Sequence, residues 1–207
     1  MPEHARTPVH LSVIVLCYRS EWELVPVVEH LHKLLSLLGF AWEVVLVANY
    51  IPGAHDATPE VVEKLARELS GIRTVIKPKE GMMGWDMRAG LEAARGEYLA
   101  VIDGDGQFPM EAVIAGFLRL IDGETDLVFT ERVSRGDGPY RRLLSFCYNV
   151  VTHLLFPGLG VRDINSKPKL ITRDLYERLK LEDSGWFIDA EIVLKANLVG
   201  ARIQQFP

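Results

Sequence analysis

The chain has 207 residues, of which 48% are hydrophobic and 25% are charged, and its formal net charge is −5 at pH 7. This composition excludes a disordered chain, and the length predicts a single domain, residues 1–207, with a sizeable core. The acidic balance gives no electrostatic reason to expect binding to nucleic acid, which usually leaves a basic footprint.

Short apolar runs rich in β-branched residues alternate with helix-like segments along the first 130 positions. The predicted strands are residues 10–17, 42–48, 72–76, 97–102 and 126–130. The predicted helices between them are residues 26–38, 58–69, 85–94 and 109–121. Nearly continuous apolar strands are typical of sheets covered on both faces. The alternation therefore predicts an α/β fold with a mostly parallel sheet and helices on both faces.

A long apolar segment without formal charge, residues 143–161, follows Arg141 and Arg142. Its length approaches that of a membrane span, but Asn149 and the break at Pro157 argue against one. We expect a buried or an interfacial helix, and an interfacial helix would bring peripheral contact with a membrane surface.

The two cysteines, Cys17 and Cys147, are far apart and lack the spacing of a zinc site or a redox pair. The amino-terminal apolar run follows acids and prolines and lacks a small-residue cleavage site, so it does not resemble a signal peptide. Both features predict a cytoplasmic protein.

Two aspartates, Asp103 and Asp105, follow the apolar core of the fourth predicted strand. Residues i and i+2 of an extended segment point the same way, while Gly104 and Gly106 allow the backbone to turn closely. Carboxylate oxygens in this arrangement suit Mg²⁺ or Mn²⁺, although a solvated acidic turn would have the same sequence. In open α/β sheets ligands bind beyond the carboxyl ends of the strands, where these two acids are predicted.

The stretch DGDGQFP, residues 103–109, resembles the family 2 glycosyltransferases. Gln107 and Pro109 are most similar to the polyprenyl-phosphate branch of that family, the dolichol-phosphate mannose synthase type. The resemblance continues along nearly the whole chain, through the ordered stretches LSVIVLCYRSE, EVVLVANYIPGAHDAT, GMMGWDMRAGLEAARGEY and TERVSRGDGPYRRLLSFCYNVVTHLL.

The resemblance implies a GT-A fold, the Rossmann-like fold of nucleotide-diphospho-sugar transferases. It implies inverting transfer of a sugar from a GDP- or UDP-sugar to a polyprenyl phosphate, dolichyl or undecaprenyl, at the inner face of the membrane. It also implies Mg²⁺ or Mn²⁺ as cofactor, bound by Asp105 and Gln107 on the donor pyrophosphate.

Positions carried over from the family assign further residues. The nucleotide-sugar would contact Leu16, Tyr18, Glu21, Val47, Asn49, Asp103, Gly104, Asp105 and Arg132. The acceptor phosphate would contact Arg132, Arg141 and Ser145, and guanidinium groups suit bidentate phosphate binding.

Two acids near the carboxyl end, Asp189 and Glu191, lie in GWFIDAEIVLKA, which resembles a late acidic segment of the family. A phosphate acceptor is already ionised, whereas a sugar hydroxyl needs a general base. Asp189 and Glu191, together with Asp163, are candidates for that base. Alternatively, Asp189 or Glu191 favours the amino terminus of a helix.

Three departures from the family pattern bear on function. Ala48 and Asn49 replace a pair of aspartates, Arg19 replaces an asparagine, and Lys167 with the following proline replaces a glycine and an aromatic residue. Two alternatives therefore remain open. One is transfer to a saccharide hydroxyl, and the other is a nucleotide-sugar-binding module without catalysis.

Overall fold

The computed structural model describes residues 9–131, 160–161 and 163–207. The strands are β1 (Leu11–Leu16), β2 (Trp42–Val47), β3 (Ile72–Val75), β4 (Tyr98–Asp103), β5 (Leu127–Thr130), β6 (Lys169–Thr172) and β7 (Ile203–Phe206). The α-helices are α1 (Leu24–Ser36), α2 (Thr58–Glu68), α3 (Met83–Ala93), α4 (Glu111–Ile121), α5 (Arg173–Leu179) and α6 (Ile188–Leu198).

The strands form one sheet in the order β3-β2-β1-β4-β6-β5-β7. Strands β1 to β4 are mutually parallel, whereas β6 runs antiparallel to both of its neighbours, β4 and β5. The five predicted strands and the four predicted helices are all present, with ends shifted by a few residues. The predicted α/β fold with a mostly parallel sheet is therefore confirmed.

Helices cover both faces of the sheet, as predicted. Residues of each strand alternate between the two cores: Val13 and Val15 face α1, α2 and α4, whereas Ile14 and Leu16 face the opposite side. That opposite core contains apolar residues of α3, α5 and α6, such as Met87 and Ile192. Burial on both faces explains why the central strands are apolar throughout.

The predicted apolar helix over residues 143–161 lies almost wholly outside the described residues, as do Arg141 and Arg142. Within the described ranges, no helix combines the length and the apolar character that are needed to cross a membrane.

Gly90 allows α3 to pack directly on the sheet. A Cβ atom at this position would clash with Cγ2 of Ile14 and would lie 2.7 Å from Cγ2 of Val47. Both neighbours belong to strands that end at the candidate site, β1 and β2. Gly90, the last glycine of the GMMGWDMRAGL stretch, thus allows close contact between the helix and the two strands.

We predict that Gly90→Ala destabilises the fold by about 1–3 kcal/mol, because the added methyl group overpacks the contact between α3 and the sheet. Urea denaturation followed by circular dichroism measures the change. Gly39→Ala is the matched control, since no atom lies within 4 Å of the added Cβ atom. Equal stability of the two variants would contradict this account of Gly90.

Candidate functional site

A cleft of about 810 Å³ opens at the carboxyl ends of β1 and β4. Asp103, Gly104 and Asp105 line it on one side, and Leu16 and Tyr18 line it where β1 ends. This is the edge of the sheet at which the sequence predicted a ligand. A cleft with mixed apolar and acidic walls can take a ligand that has an apolar part and a part that binds a cation or donates hydrogen bonds.

Asp105 is exposed, and its Oδ1 accepts a hydrogen bond from the backbone N–H of Gln107 at 3.0 Å. Gly106 has a φ angle of +70°, a left-handed conformation that glycine adopts without strain. The turn therefore holds the backbone N–H of Gln107 against the carboxylate of Asp105. That carboxylate is exposed to solvent and lines the cleft.

The donor set around Asp105 fits Mg²⁺ or Mn²⁺ bound with a substrate. Among the described residues, no group of three or more His, Cys, Asp or Glu side chains could hold a metal ion alone. Mg²⁺ commonly takes one or two carboxylates and completes its shell with water and phosphate oxygens. The exposed carboxylate of Asp105 is an oxygen ligand of this kind, and the exposed side chain of Gln107 carries an amide oxygen two residues further along the chain.

Asp103 is paired with a buried lysine. Nζ of Lys167 lies 3.1 Å from Oδ1 of Asp103, and only 3% of the Lys167 side chain is exposed, against 28% for Asp103. Burial raises the pKa of Asp103, and the ammonium group of Lys167 acts against that rise. The lysine therefore favours the ionised form of an aspartate that faces the cleft.

Lys167 belongs to a cluster of four buried or half-buried charges. Nζ of Lys167 lies 3.3 Å from Oδ2 of Asp189, and Nζ of Lys169 lies 2.7 Å from Oδ1 of the same aspartate. Burial disfavours the charged form of both lysines. It lowers the pKa of Lys169. At Lys167 the carboxylates of Asp189 and Asp103 outweigh burial, so its pKa is raised. Together with Asp103, the cluster contains two ammonium groups and two carboxylates.

The reversed strand explains how this cluster forms. Val101 of β4 pairs with Lys169, the first residue of β6, and Lys167 lies just before that strand, with its Nζ 3.1 Å from Oδ1 of Asp103 at the end of β4. Both lysine side chains reach the carboxylate of Asp189. Asp189 lies in the first turn of α6, which packs on the same side of the sheet as α3.

Glu191 holds a loop and does not line the cleft. Its Oε1 and Oε2 accept hydrogen bonds from the backbone N–H groups of Glu182 and Asp183, each at 2.9 Å, and Nζ of Lys195 lies 2.7 Å from Oε1. Burial raises the pKa of Glu191, but Lys195 and the two N–H groups outweigh burial, so the pKa is lowered.

Asn49, a predicted contact of the nucleotide-sugar, is buried, and its side-chain amide forms hydrogen bonds with other residues of the protein. Nδ2 donates to Oδ1 of Asp86 at 2.9 Å, and Oδ1 accepts from the backbone N–H of Lys77 at 3.0 Å. The other carboxylate oxygen of Asp86 pairs with Lys79, whose Nζ lies 4.5 Å from the centroid of the Tyr18 ring. Asp86 and Lys79, unlike Asn49, line the cleft.

The loop after β1 contains two non-glycine residues with left-handed backbone conformations, Arg19 at φ 54° and Glu21 at φ 44°. Asparagine enters this region more readily than arginine does, which gives a physical reason for the asparagine that the family pattern has at position 19. The backbone N–H of Glu21 donates to Oγ1 of Thr58 at 3.0 Å, which fixes the loop against α2.

The predicted contacts thus fall into four groups. Leu16, Tyr18, Asp103, Gly104 and Asp105 line the cleft. Val47 and Asn49 are buried at and after the end of β2, and Glu21 and Gln107 are exposed. The predicted phosphate contacts Arg132, Arg141 and Ser145 lie outside the described residues.

Sequence reasoning did not identify the roles of Lys167, Lys169, Lys79 and Asp86. Lys167 and Pro168 depart from the family pattern, but the sequence does not show that Lys167 pairs with Asp103 and Asp189, which are distant in the chain. The one available signal was a lysine at the start of an otherwise apolar run, KLIT, since a charge in a buried strand requires a partner.

Curated proteins similar to this chain include several enzymes named for polyprenyl phosphates. A dolichyl-phosphate beta-glucosyltransferase from Trichomonas vaginalis is 27% identical over 214 residues, covering 96% of this chain and 65% of that protein. A dodecaprenyl-phosphate galacturonate synthase from Rhizobium johnstonii is 27% identical over 175 residues, covering 84% of this chain and 51% of that protein. This chain thus spans only part of the length of each relative.

Solved structures with the same fold include a glucosyl-3-phosphoglycerate synthase from Mycobacterium tuberculosis in complex with Mn²⁺, UDP and glucosyl-3-phosphoglycerate. Its TM-score is 0.74 at 20% identity, covering 96% of this chain and 69% of that chain. A mannosyl-3-phosphoglycerate synthase from Rubrobacter xylanophilus has a TM-score of 0.75 at 15% identity, covering 96% of this chain and 65% of that chain. These likenesses confirm the GT-A fold.

The sequence model of the family described as glycosyl transferase family 2 matches residues 12–179. This range runs from the second residue of β1 to the end of α5 and includes the two cleft aspartates and both buried lysines. By this match, together with the fold and the position of the acidic cleft, the chain belongs to glycosyl transferase family 2.

Proposed function

We propose that this chain transfers a glycosyl group from a nucleoside-diphosphate sugar, GDP- or UDP-linked, to a polyprenyl phosphate at the cytoplasmic face of a membrane. The observation that carries the proposal is the cleft at the carboxyl ends of β1 and β4, with Asp103 and Asp105 in its wall. Membership of the family and the names of the curated relatives support the donor and acceptor classes.

In the proposed reaction an oxygen of the acceptor phosphate attacks the anomeric carbon of the donor sugar. The bond between that carbon and the β-phosphate oxygen breaks with inversion, and the nucleoside diphosphate leaves with the bonding electrons. The acceptor monoester changes from a dianion to a diester monoanion, so no proton has to be removed from it. Charge therefore develops on the leaving pyrophosphate, and stabilisation is needed at that position.

Asp105 and Gln107 would hold Mg²⁺ or Mn²⁺ beside the pyrophosphate. When bound, such an ion stabilises the negative charge of the departing diphosphate as a Lewis acid. Asp103, oriented by Lys167, accepts hydrogen bonds from donor hydroxyl groups. Tyr18 and Lys79 line the part of the cleft after β1, where the nucleoside would bind.

The environment of the two late acids favours a phosphate acceptor over a sugar hydroxyl. Asp189 lies between the ammonium groups of Lys167 and Lys169, and Glu191 is bound to Lys195 and to two backbone N–H groups. Neither carboxylate lines the cleft, so neither is placed to take a proton from an acceptor hydroxyl. An already ionised phosphate acceptor does not require such a base.

The proposal predicts lipid-linked sugar when the protein is incubated with UDP- and GDP-sugars, Mn²⁺ or Mg²⁺, and polyprenyl phosphate. Asp105→Asn should lower the rate by about 100-fold or more, because charge on the leaving group loses stabilisation. Thin-layer chromatography of radiolabelled product measures the transfer. Asp122→Asn, at an exposed aspartate that follows α4, is the matched control.

Two outcomes would contradict this prediction. Glycosylation of a soluble saccharide without lipid-linked product would support hydroxyl transfer. Metal-dependent binding of nucleotide sugars without transfer to any acceptor would support a non-catalytic binding module.

We further predict that Asp189→Asn acts mainly on stability. Removing this carboxylate leaves the buried ammonium groups of Lys167 and Lys169 short of a counter-charge, and breaking a buried ion pair costs about 3–5 kcal/mol. Chemical denaturation measures the loss, and turnover is then measured per folded molecule. Transfer to polyprenyl phosphate should continue in the folded fraction.

Glu191→Gln is the companion variant, because it removes the second candidate base. The carboxylate of Glu191 forms an ion pair with one lysine, Lys195. This variant should lower stability less than Asp189→Asn does. Abolished turnover with unchanged stability and unchanged donor binding in either variant would instead identify that residue as a general base.

A further inference from the structure

Trp186 is exposed on a loop that the protein holds in place. The residue is 67% exposed and lines the same cleft as Asp103 and Asp105. A ligand that covers a large apolar side chain in a cleft removes its apolar surface from water, which favours binding. Trp186 is therefore placed to contact a ligand.

The Trp186 loop, residues 181–187, is fixed to the amino-terminal end of α3. The backbone N–H of Met82 donates to the carbonyl of Ser184, and that of Gly84 donates to the carbonyl of Gly185, both at 2.7 Å. A Cβ atom on Gly84 would lie 2.6 Å from the carbonyl oxygen of Asp183, so the glycine permits this close approach.

Side chains hold the loop from two further directions. Glu191 accepts hydrogen bonds from the backbone N–H groups of Glu182 and Asp183, and Nη1 of Arg88 donates to the carbonyl of Glu182 at 2.7 Å. The position of Trp186 is thereby set before any ligand arrives. Such preorganisation reduces the entropy lost on binding.

Two connections link the Trp186 loop to Asp103. Asp189, three residues after Trp186, shares Lys167 with Asp103. Sδ of Met83 lies 3.2 Å from Nζ of Lys167, and the neighbouring Met82 is bonded to the loop. Tyr18 and Lys79 line the part of the cleft after β1, and Nζ of Lys79 donates to the carbonyl of Met82 at 3.3 Å, so the loop lies next to both parts of the cleft.

We propose that Trp186 binds the glycosyl ring of the donor by stacking on its apolar face. The inference rests on the proposed function, in which the pyrophosphate lies beside Asp105, Asp103 accepts hydrogen bonds from donor hydroxyl groups, and the sugar is the next group of the donor. The C–H bonds of a sugar ring carry partial positive charge, and the face of an indole ring is negative and apolar. Trp186 thus contributes to affinity for the sugar and to its orientation, while the nucleotide binds elsewhere in the cleft.

Calorimetric titration with and without the sugar tests this assignment. The ligands are UDP and UDP-glucose, and GDP and GDP-mannose, each with Mn²⁺. Trp186→Ala should raise the Kd of the nucleotide sugar by about tenfold and should change the Kd of the free nucleoside diphosphate by less than about twofold. Trp186→Phe should restore most of the lost affinity.

Trp22→Ala is the matched control, because Trp22 is 57% exposed and lies outside the lining of the cleft. It should change neither Kd. Circular dichroism checks that the variants fold.

Equal losses of affinity for nucleotide and nucleotide sugar would overturn the inference and indicate that Trp186 supports the loop. Loss of binding to polyprenyl-phosphate vesicles alone would also overturn it, in favour of a lipid contact. Failure of the wild-type protein to bind any of the four ligands would contradict the proposed function itself.

Discussion

The pairing of buried charges at the end of β4 is the constraint on which the site depends. An ammonium group inside a protein is tolerated only beside a carboxylate that compensates its charge. Lys169 begins the reversed strand β6 and Lys167 lies just before it, and the two lysines contact Asp103 at the end of β4 and Asp189 in α6. The direction of β6, the position of α6 and the orientation of Asp103 are therefore coupled.

This coupling joins the two halves of the fold at the cleft. The first half supplies parallel strands whose carboxyl ends carry Leu16 and Asp103. The second half supplies the two lysines at and just before the start of β6, and the Trp186 loop before α6. Because Thr130 at the end of β5 also donates a hydrogen bond to the carbonyl of Lys167, at 2.7 Å, the lysine is held from both neighbouring strands.

Much of the fold and part of the site could be predicted from local patterns in the sequence. Apolar runs and helix periodicity extend over a few residues each, and the pair Asp103 and Asp105 directly follows such a run. The lysine cluster could not be predicted in this way, because Lys167 is 64 residues from Asp103 and its contact depends on the reversal of β6. Asp86 likewise depends on how α3 packs beside Asn49.

The exposed position of Trp186 gives the protein an optical probe of its own. The chain has four tryptophans. Trp186 is the one among them that lines the cleft. Indole emission depends on the polarity around the ring, and an occupant of the cleft replaces water beside it. Intrinsic fluorescence can therefore report ligand binding in real time, without a label and without a coupled assay.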